Sequence, residues 1–238
     1  MDLQQIIELL NRKVEEYNTK KFISKDPICI PHRFNKKQDI EISGFFAAMF
    51  AWGNRTTIIN KSNELITLLD NSPYDFLVNH QESDLKRFLP FVHRTFNGQD
   101  AIYFIRFLSQ HYRNNESLES AFIPKSTSSM KEKLIHFHDN FFSLEHLQRT
   151  EKHVSTPLKN SACKRLNMFL RWMVRKDRHG VDFGMWRQIK MSELVCPLDV
   201  HVCNVAFRLG LIDNQKSNWN QAEKLTTILK SFDAKDKA

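Results

Sequence analysis

An all-α fold of roughly ten to twelve helices is predicted by three features of the sequence. Apolar residues recur with an i, i+3, i+4, i+7 rhythm along most of the chain. Nineteen Phe stand against six Gly and seven Pro, which suits an aromatic-filled helical interior better than a turn-rich β fold. No alternating runs flank an NG-type turn, so no strand pair is expected.

The elements follow in order. Residues 2–18 predict an amphipathic helix with Leu3, Ile6, Ile7, Leu10 and Val14 on one side. DPICIPHRFN, residues 26–35, is a proline-punctuated connector. DIEISGFFAAMFAW, residues 39–52, is apolar almost all round and is expected at the centre of the core. It breaks at Gly53-Asn54-Arg55-Thr56, and TTIINKSNELITLLD restarts a helix. Ser72-Pro73 opens a short helix, YDFLVNH, because proline is tolerated in a first turn. A break at Asn97-Gly98 precedes a helix over residues 101–114. PKSTSSMKEK, residues 124–133, reads as a loop, leading into helical KLIHFHDNFF and SLEHL. HVSTPLKNSA is a turn before a helix over residues 164–176. Residues 177–198 are less regular, a helix begins at Val200, and NQAEKLTTILKSF forms the last one before a charged tail, DAKDKA.

Composition narrows the function. Hydrophobic content of 41% and charged content of 26% fit a globular protein, and no run of about 18 uncharged apolar residues suggests a membrane span. The charged N-terminal helix is unlike a signal peptide, and four cysteines without a CxxC pair fit a reducing cytoplasm. No P-loop or GxGxxG is present, which argues against a nucleotide-binding α/β fold, and no internal repeat stands out. The net charge of +8 points to a polyanionic partner. Residues 149–190 hold eleven Lys/Arg against three acids, a surplus equal to that of the whole chain. Interleaved with Trp172, Phe183 and Trp186, these bases suit a phosphate backbone; a solvated helix face explains them equally.

Two positions carry the candidate chemistry. In CPLDVHVCNVAFRLGL, residues 196–211, Val202, Val205, Ala206 and Leu209 mark one buried helix face, and Gly210-Leu211 a C-cap. Asp199 falls at the N-cap, which is by itself a sufficient reason for an aspartate. In LKNSACKRLNMFLRWMV, residues 158–174, Lys164 falls in the first turn of a helix. The helix dipole and partial burial there lower an ammonium pKa and favour the free amine, although Lys164 can equally be a solvated base beside Arg165. An amine and a carboxylate at two helix starts form a device for attacking a sugar C1′ and supporting the charge that develops as a base leaves.

The turn, the lysine-led helix and then Pro197-Leu198-Asp199-Val200-His201-Val202, with Val205, Arg208, Leu209, Gly210 and Leu211, resemble the helix-hairpin-helix DNA glycosylases of the endonuclease III superfamily. The likeness extends loosely over residues 35–230, and the phrase SACKRLNMFLRWMVR is similar to that of an uncharacterised bacterial family, DUF2400. The resemblance implies a two-lobed helical bundle, with residues 36–176 as a helical-barrel lobe and residues 1–35 plus 177–238 as the lobe carrying Asp199. It implies base-excision repair of an oxidised purine, with Lys164 as Schiff-base nucleophile and Asp199 as catalytic carboxylate facing one cleft, and lyase activity from the same imine. Lys159, Asn160, Ser161, Arg165, Asn54 and Arg55 become candidate DNA contacts, and Trp52, Phe96, Trp172 and Trp186 candidate stacking rings, each otherwise a core or turn residue. The implied partner is double-stranded DNA with a damaged base, met by a monomeric, cytoplasmic, nucleoid-associated protein that touches no membrane.

The departures are specific. The family hairpin, LPGVGxK, is replaced by Leu158-Lys159-Asn160-Ser161-Ala162-Cys163-Lys164; Asn160 adopts a left-handed conformation readily and Ala162 poorly. The long gap from Lys164 to Asp199 is more like the archaeal 8-oxoguanine glycosylases. The four-cysteine iron–sulfur loop is missing; Cys196 and Cys203 alone cannot hold a cluster, so neither cofactor nor metal is implied. The chain ends at Ala238 where relatives continue into another helix, so a truncated C-terminus is one reading. Two other classes stay open: a non-catalytic DNA- or RNA-binding relative, and a helical interaction domain meeting an acidic protein.

Overall fold

The computed structural model describes residues 2–126 and 129–233 and is mostly helical. In chain order the helices are α1 Leu3–Tyr17, α2 Lys20–Ile23, α3 Lys37–Phe50, α4 Arg55–Leu68, α5 Pro73–Asn79, α6 Gly98–Asn114, α7 Met130–Phe141, α8 Lys164–Val174, α9 Val200–Arg208 and α10 Trp219–Phe232. Short 3-10 turns link several of them. The loop expected at 124–133 includes Thr127 and Ser128, and the charged tail runs beyond Asp233; these positions lie outside the described residues. Among the described residues, no helix is long and apolar enough to cross a membrane.

The chain forms two compact units, one of residues 25–127 and 136–154, the other of residues 1–24, 128–135 and 155–238. The turn at 157–163 and α8, grouped by the sequence with residues 36–176, thus fall in the unit that carries Asp199.

The first of these units is built on phenylalanine. Every residue of α3 from Ile40 to Phe50 is buried, as its all-round apolar pattern requires. Phe45 and Phe46 meet Phe104 of α6, Phe107 lies 4.5 Å from Phe141, and Phe122 stacks on Phe137 at 3.9 Å. The one carboxylate within this run, Glu41, is fully buried and satisfied: it accepts from Tyr112 Oη (2.8 Å), Ser117 Oγ (2.6 Å) and the Leu118 N–H (2.9 Å).

Two expectations are corrected here. Val92–His93 (β1) and Phe96–Asn97 (β2) do pair antiparallel, with Arg94 in the left-handed region at φ 57°. Strands of two residues are too short to show alternation. SLEHL is not helical: α7 ends at Phe141, and regular structure resumes only in a 3-10 turn over Gln148–His153.

In the second unit, α8 buries Leu166, Phe169, Leu170 and Met173, the one-sided set expected of it. The irregular segment after α8 doubles back along it. Phe183 N–H reaches Trp172 O (2.8 Å), and Met185 and Trp186 N–H both reach Met173 O, so the last carbonyls of α8 are satisfied without a further helical turn. Trp186 then meets Phe169 edge-on at 5.4 Å. The few acids of the basic segment are used internally. Arg175, buried, bonds Asp177 (2.5 Å) and Asp182 (3.1 Å), and Arg171 bonds Asp182 (3.2 Å). Burial alone would raise the Asp177 carboxyl, but Asn18, the His179 and Gly180 N–H groups and Arg175 outweigh it and hold it at about 2. Lys159, Lys176, Arg178, Arg187 and Lys190 of the same segment are exposed.

Candidate functional site

The turn before α8 is shaped by two left-handed residues. Thr156 Oγ1 accepts from the Leu158 N–H (3.3 Å) and opens a 3-10 turn over Pro157–Lys159, which Asn160 ends at φ 52°. Asparagine tolerates that region, as the sequence suggests. The second left-handed position is Cys163, at φ 47°, rather than Ala162. Ser161 Oγ accepts from the Cys163 N–H (3.2 Å), and Cys163 Sγ lies 3.4 Å from Ser161 O, so side-chain bonds hold a conformation that glycine would adopt without cost. Ser161 forms an isolated bridge with Asn218, and Asn160 O accepts from the Trp219 N–H (3.2 Å). The turn is therefore fastened to the start of α10.

Lys164 is the first residue of α8. The N-cap residue, Cys163, supplies no side-chain acceptor to the first turn. Lys164 and Arg165 are half-buried. Burial pulls the Arg165 guanidinium down to about 10. Lys164, Met168 and Arg171, at i, i+4 and i+7, are all half-buried on one face of α8.

Asp199 caps α9, its Oδ1 accepting from the Val202 N–H at 2.9 Å. The far end closes as a Schellman motif: Gly210 sits at φ 70°, its N–H bonds Phe207 O, and Leu211 N–H bonds Ala206 O, both at 2.9 Å. Both ends were legible in the sequence. The buried face was not: only Cys203 and Ala206 are buried, while Val200, Val202, Val205 and Phe207 are exposed. A nine-residue helix touching its unit along one narrow edge leaves its other apolar residues in solvent.

Cys196 lies three residues before Asp199 and is fastened to α10. Its N–H donates to Thr226 Oγ1 of α10 (3.0 Å). Burial pushes its thiol up to about 11, with Arg171 acting downward and Asp199 upward, so both charges lie within electrostatic reach of one sulfur. Arg171 stands in the last turn of α8, at the opposite end of that helix from Lys164. Neither Arg171 nor Cys196 has a motif to mark it in the sequence.

The remaining candidates separate by accessibility. Lys159 and Asn160 are exposed, and Ser161 is half-buried. In the other unit, Asn54 and Arg55 are exposed, and Asn54 Oδ1 caps α4 by accepting from the Thr57 N–H (3.2 Å), which accounts for Asn54 as a turn residue. Phe96, Trp172 and Trp186 are at most 4% exposed and belong to the cores. Trp52 alone of the four rings stays half-buried, with the Arg94 guanidinium 4.6 Å above it. Gly53, at φ 104°, holds a backbone conformation that a side chain would strain, and a Cβ there would push the Arg94 guanidinium aside. Arg94 escaped the sequence reading because a tight two-residue turn, not a motif, aims it.

The family described as a protein of unknown function (DUF2400) matches residues 26–238. The chain belongs to that family. No curated protein and no solved structure matches it. The DUF2400 match takes in the turn at 157–163, Lys164 and Asp199.

Proposed function

We propose that this chain is a DNA-binding protein of the helix-hairpin-helix glycosylase type that excises a damaged, oxidised purine, with Lys164 as nucleophile and Asp199 as its carboxylate partner. What supports the reading is a lysine-led start of α8 and an aspartate-capped start of α9 within one compact unit. In the proposed step the neutral Lys164 Nζ attacks C1′ of an extruded nucleotide. The glycosidic bond breaks, and the base leaves with the bonding electrons and a proton. The sugar ring opens to an imine between Nζ and C1′, while ionised Asp199 offsets the positive charge that develops on the sugar. The exposed bases of residues 159–190 supply phosphate contacts.

The test is borohydride trapping on duplexes carrying 8-oxoguanine or an abasic site. A covalent adduct is expected with the native chain and none with Lys164→Gln. Asp199→Asn separates chemistry from capping, because asparagine caps a helix about as well as aspartate. Unchanged thermal stability with a loss of adduct of at least about tenfold is expected from a catalytic carboxylate. An adduct undiminished in Asp199→Asn reduces Asp199 to a cap. A second reading, a non-catalytic DNA- or RNA-binding relative, is favoured by the bond that Asp199 already makes to its own helix. Salt-sensitive duplex binding without any adduct would establish it.

A further inference from the structure

The unit of residues 25–127 and 136–154 carries a cleft of about 530 Å³, unrelated to Lys164 and Asp199. Its floor is one face of α6: Arg106, Ser109, Gln110, Arg113 and Asn114, at i, i+3, i+4, i+7 and i+8. His80, which ends α5, and Glu82, which opens the following 3-10 turn, line its side, and Leu144 is the lone apolar lining residue.

The lining groups divide into spent and unspent. Glu82 forms an ion pair with Arg106, and Ser109 Oγ donates to Leu77 O (2.7 Å). Arg113 has no ion-pair partner among the described residues. Gln110 offers its carboxamide. His80 Nδ1 lies 3.0 Å from Phe76 O and 3.2 Å from Leu77 O. Carbonyls only accept, so Nδ1 carries the proton and Nε2 of the neutral ring is left as an acceptor. Asn114 Nδ2 donates to Gln110 O (3.1 Å), which leaves its Oδ1 to accept. The second carboxylate oxygen of Glu82 accepts as well. The cleft thus offers one uncompensated guanidinium with an amide donor beside it, and three acceptors.

We propose that this cleft binds a small phosphorylated sugar, with the phosphate on Arg113 and Gln110 and the hydroxyls on His80, Glu82 and Asn114. A planar carboxylate would be saturated by one guanidinium fork, whereas a phosphate retains oxygens for the Gln110 amide. The acceptors need hydroxyl donors, which a sugar provides and a fatty or aromatic group does not. Leu144 is the one apolar residue among the lining, so polar contacts must orient whatever binds. The volume lies within the roughly 300–1,000 Å³ of small-molecule sites.

The probe is ribose 5-phosphate, titrated calorimetrically into the full chain, with ribose and inorganic phosphate as separate arms. Saturable binding of ribose 5-phosphate, weaker binding of inorganic phosphate and none of ribose are expected. Arg113→Gln should weaken binding by about tenfold or more, and Gln110→Ala less. Both residues are exposed, so the variants should fold, which circular dichroism checks. Arg12→Gln, at an exposed arginine of the other unit, should change nothing. The proposal is overturned if no saturation occurs by about 10 mM, or if Arg113→Gln binds as well as the native chain. It is also overturned if duplex DNA displaces ribose 5-phosphate with the same dependence on Arg113, since the groove would then serve a nucleic-acid backbone. None of these outcomes depends on the borohydride result.

Discussion

Gly98→Ala is expected to destabilise the protein by roughly 3 kcal/mol or more, measured by urea denaturation at neutral pH. Gly98 is the first residue of α6, and a Cβ there would fall 2.3 Å from Phe88 O, 2.5 Å from Leu89 O and 2.6 Å from Leu89 Cα. All three atoms are backbone, so no rotamer change relieves the clash; either the turn over Glu82–Phe88 or the start of α6 must move. Asn97-Gly98 reads in the sequence as a break before a helix. In the fold Asn97 is a helix cap, and the glycine serves close approach of two backbone segments rather than a left-handed turn. A loss below about 1 kcal/mol would show that the two segments separate without cost.

Asp100→Ala is the second large effect, a loss of roughly 3–5 kcal/mol. Asp100 is fully buried at the third position of α6 and completes a capping box with Asn97, accepting from its N–H at 2.9 Å. It also accepts from Arg149 Nη1 (2.7 Å), Thr150 Oγ1 (2.8 Å) and His153 Nε2 (3.2 Å). Arg149 in turn donates to Thr95 O of the β1–β2 turn (2.7 Å). One carboxylate therefore ties the 3-10 turn over Gln148–His153 to the start of α6, and its removal strands donors on Thr150 and His153, both buried.

The same residue gives a pH dependence. Burial alone would raise the Asp100 carboxyl, but His153, the Asn97 N–H and Thr150 outweigh it and hold it at about 2, against an ordinary 3.8. A carboxyl depressed on folding contributes stability that is present above its unfolded value and lost as pH falls through the folded one. About 2 kcal/mol should therefore disappear between about pH 4 and pH 2. Unfolding free energies at pH 7 and pH 2.5 should differ less in Asp100→Asn than in the native chain; equal differences would place the acid sensitivity elsewhere.

Local chemistry was legible wherever one stretch of chain contained its own reason. Asp199 and Gly210 bracket α9 because an N-cap acceptor and a left-handed C′ residue act on neighbouring backbone groups. α3 is central because its residues are apolar on every side, and nineteen phenylalanines did announce a ring-filled interior. Legibility failed where long-range contacts decide. The apolar rhythm of α9 predicts a buried stripe, yet periodicity reports which residues share a face, not whether anything covers it. Phe96, Trp172 and Trp186 are indistinguishable in sequence from Trp52, and only burial separates them. The acids of the basic segment look like dilution of its charge, whereas Asp177 and Asp182 pair with the buried Arg175 and Asp182 also with Arg171.

The sequence alone determined a helical fold, the starts and stops of its better helices, and a strongly basic segment holding Lys164, because those properties depend on residues close together in the chain. The tertiary structure alone decided that Cys196 bonds Thr226, that Arg94 covers Trp52, and that His80, Glu82 and Leu144 meet one face of α6 at an open cleft. Each of these joins groups distant in sequence, and only packing brings distant groups within reach of one another.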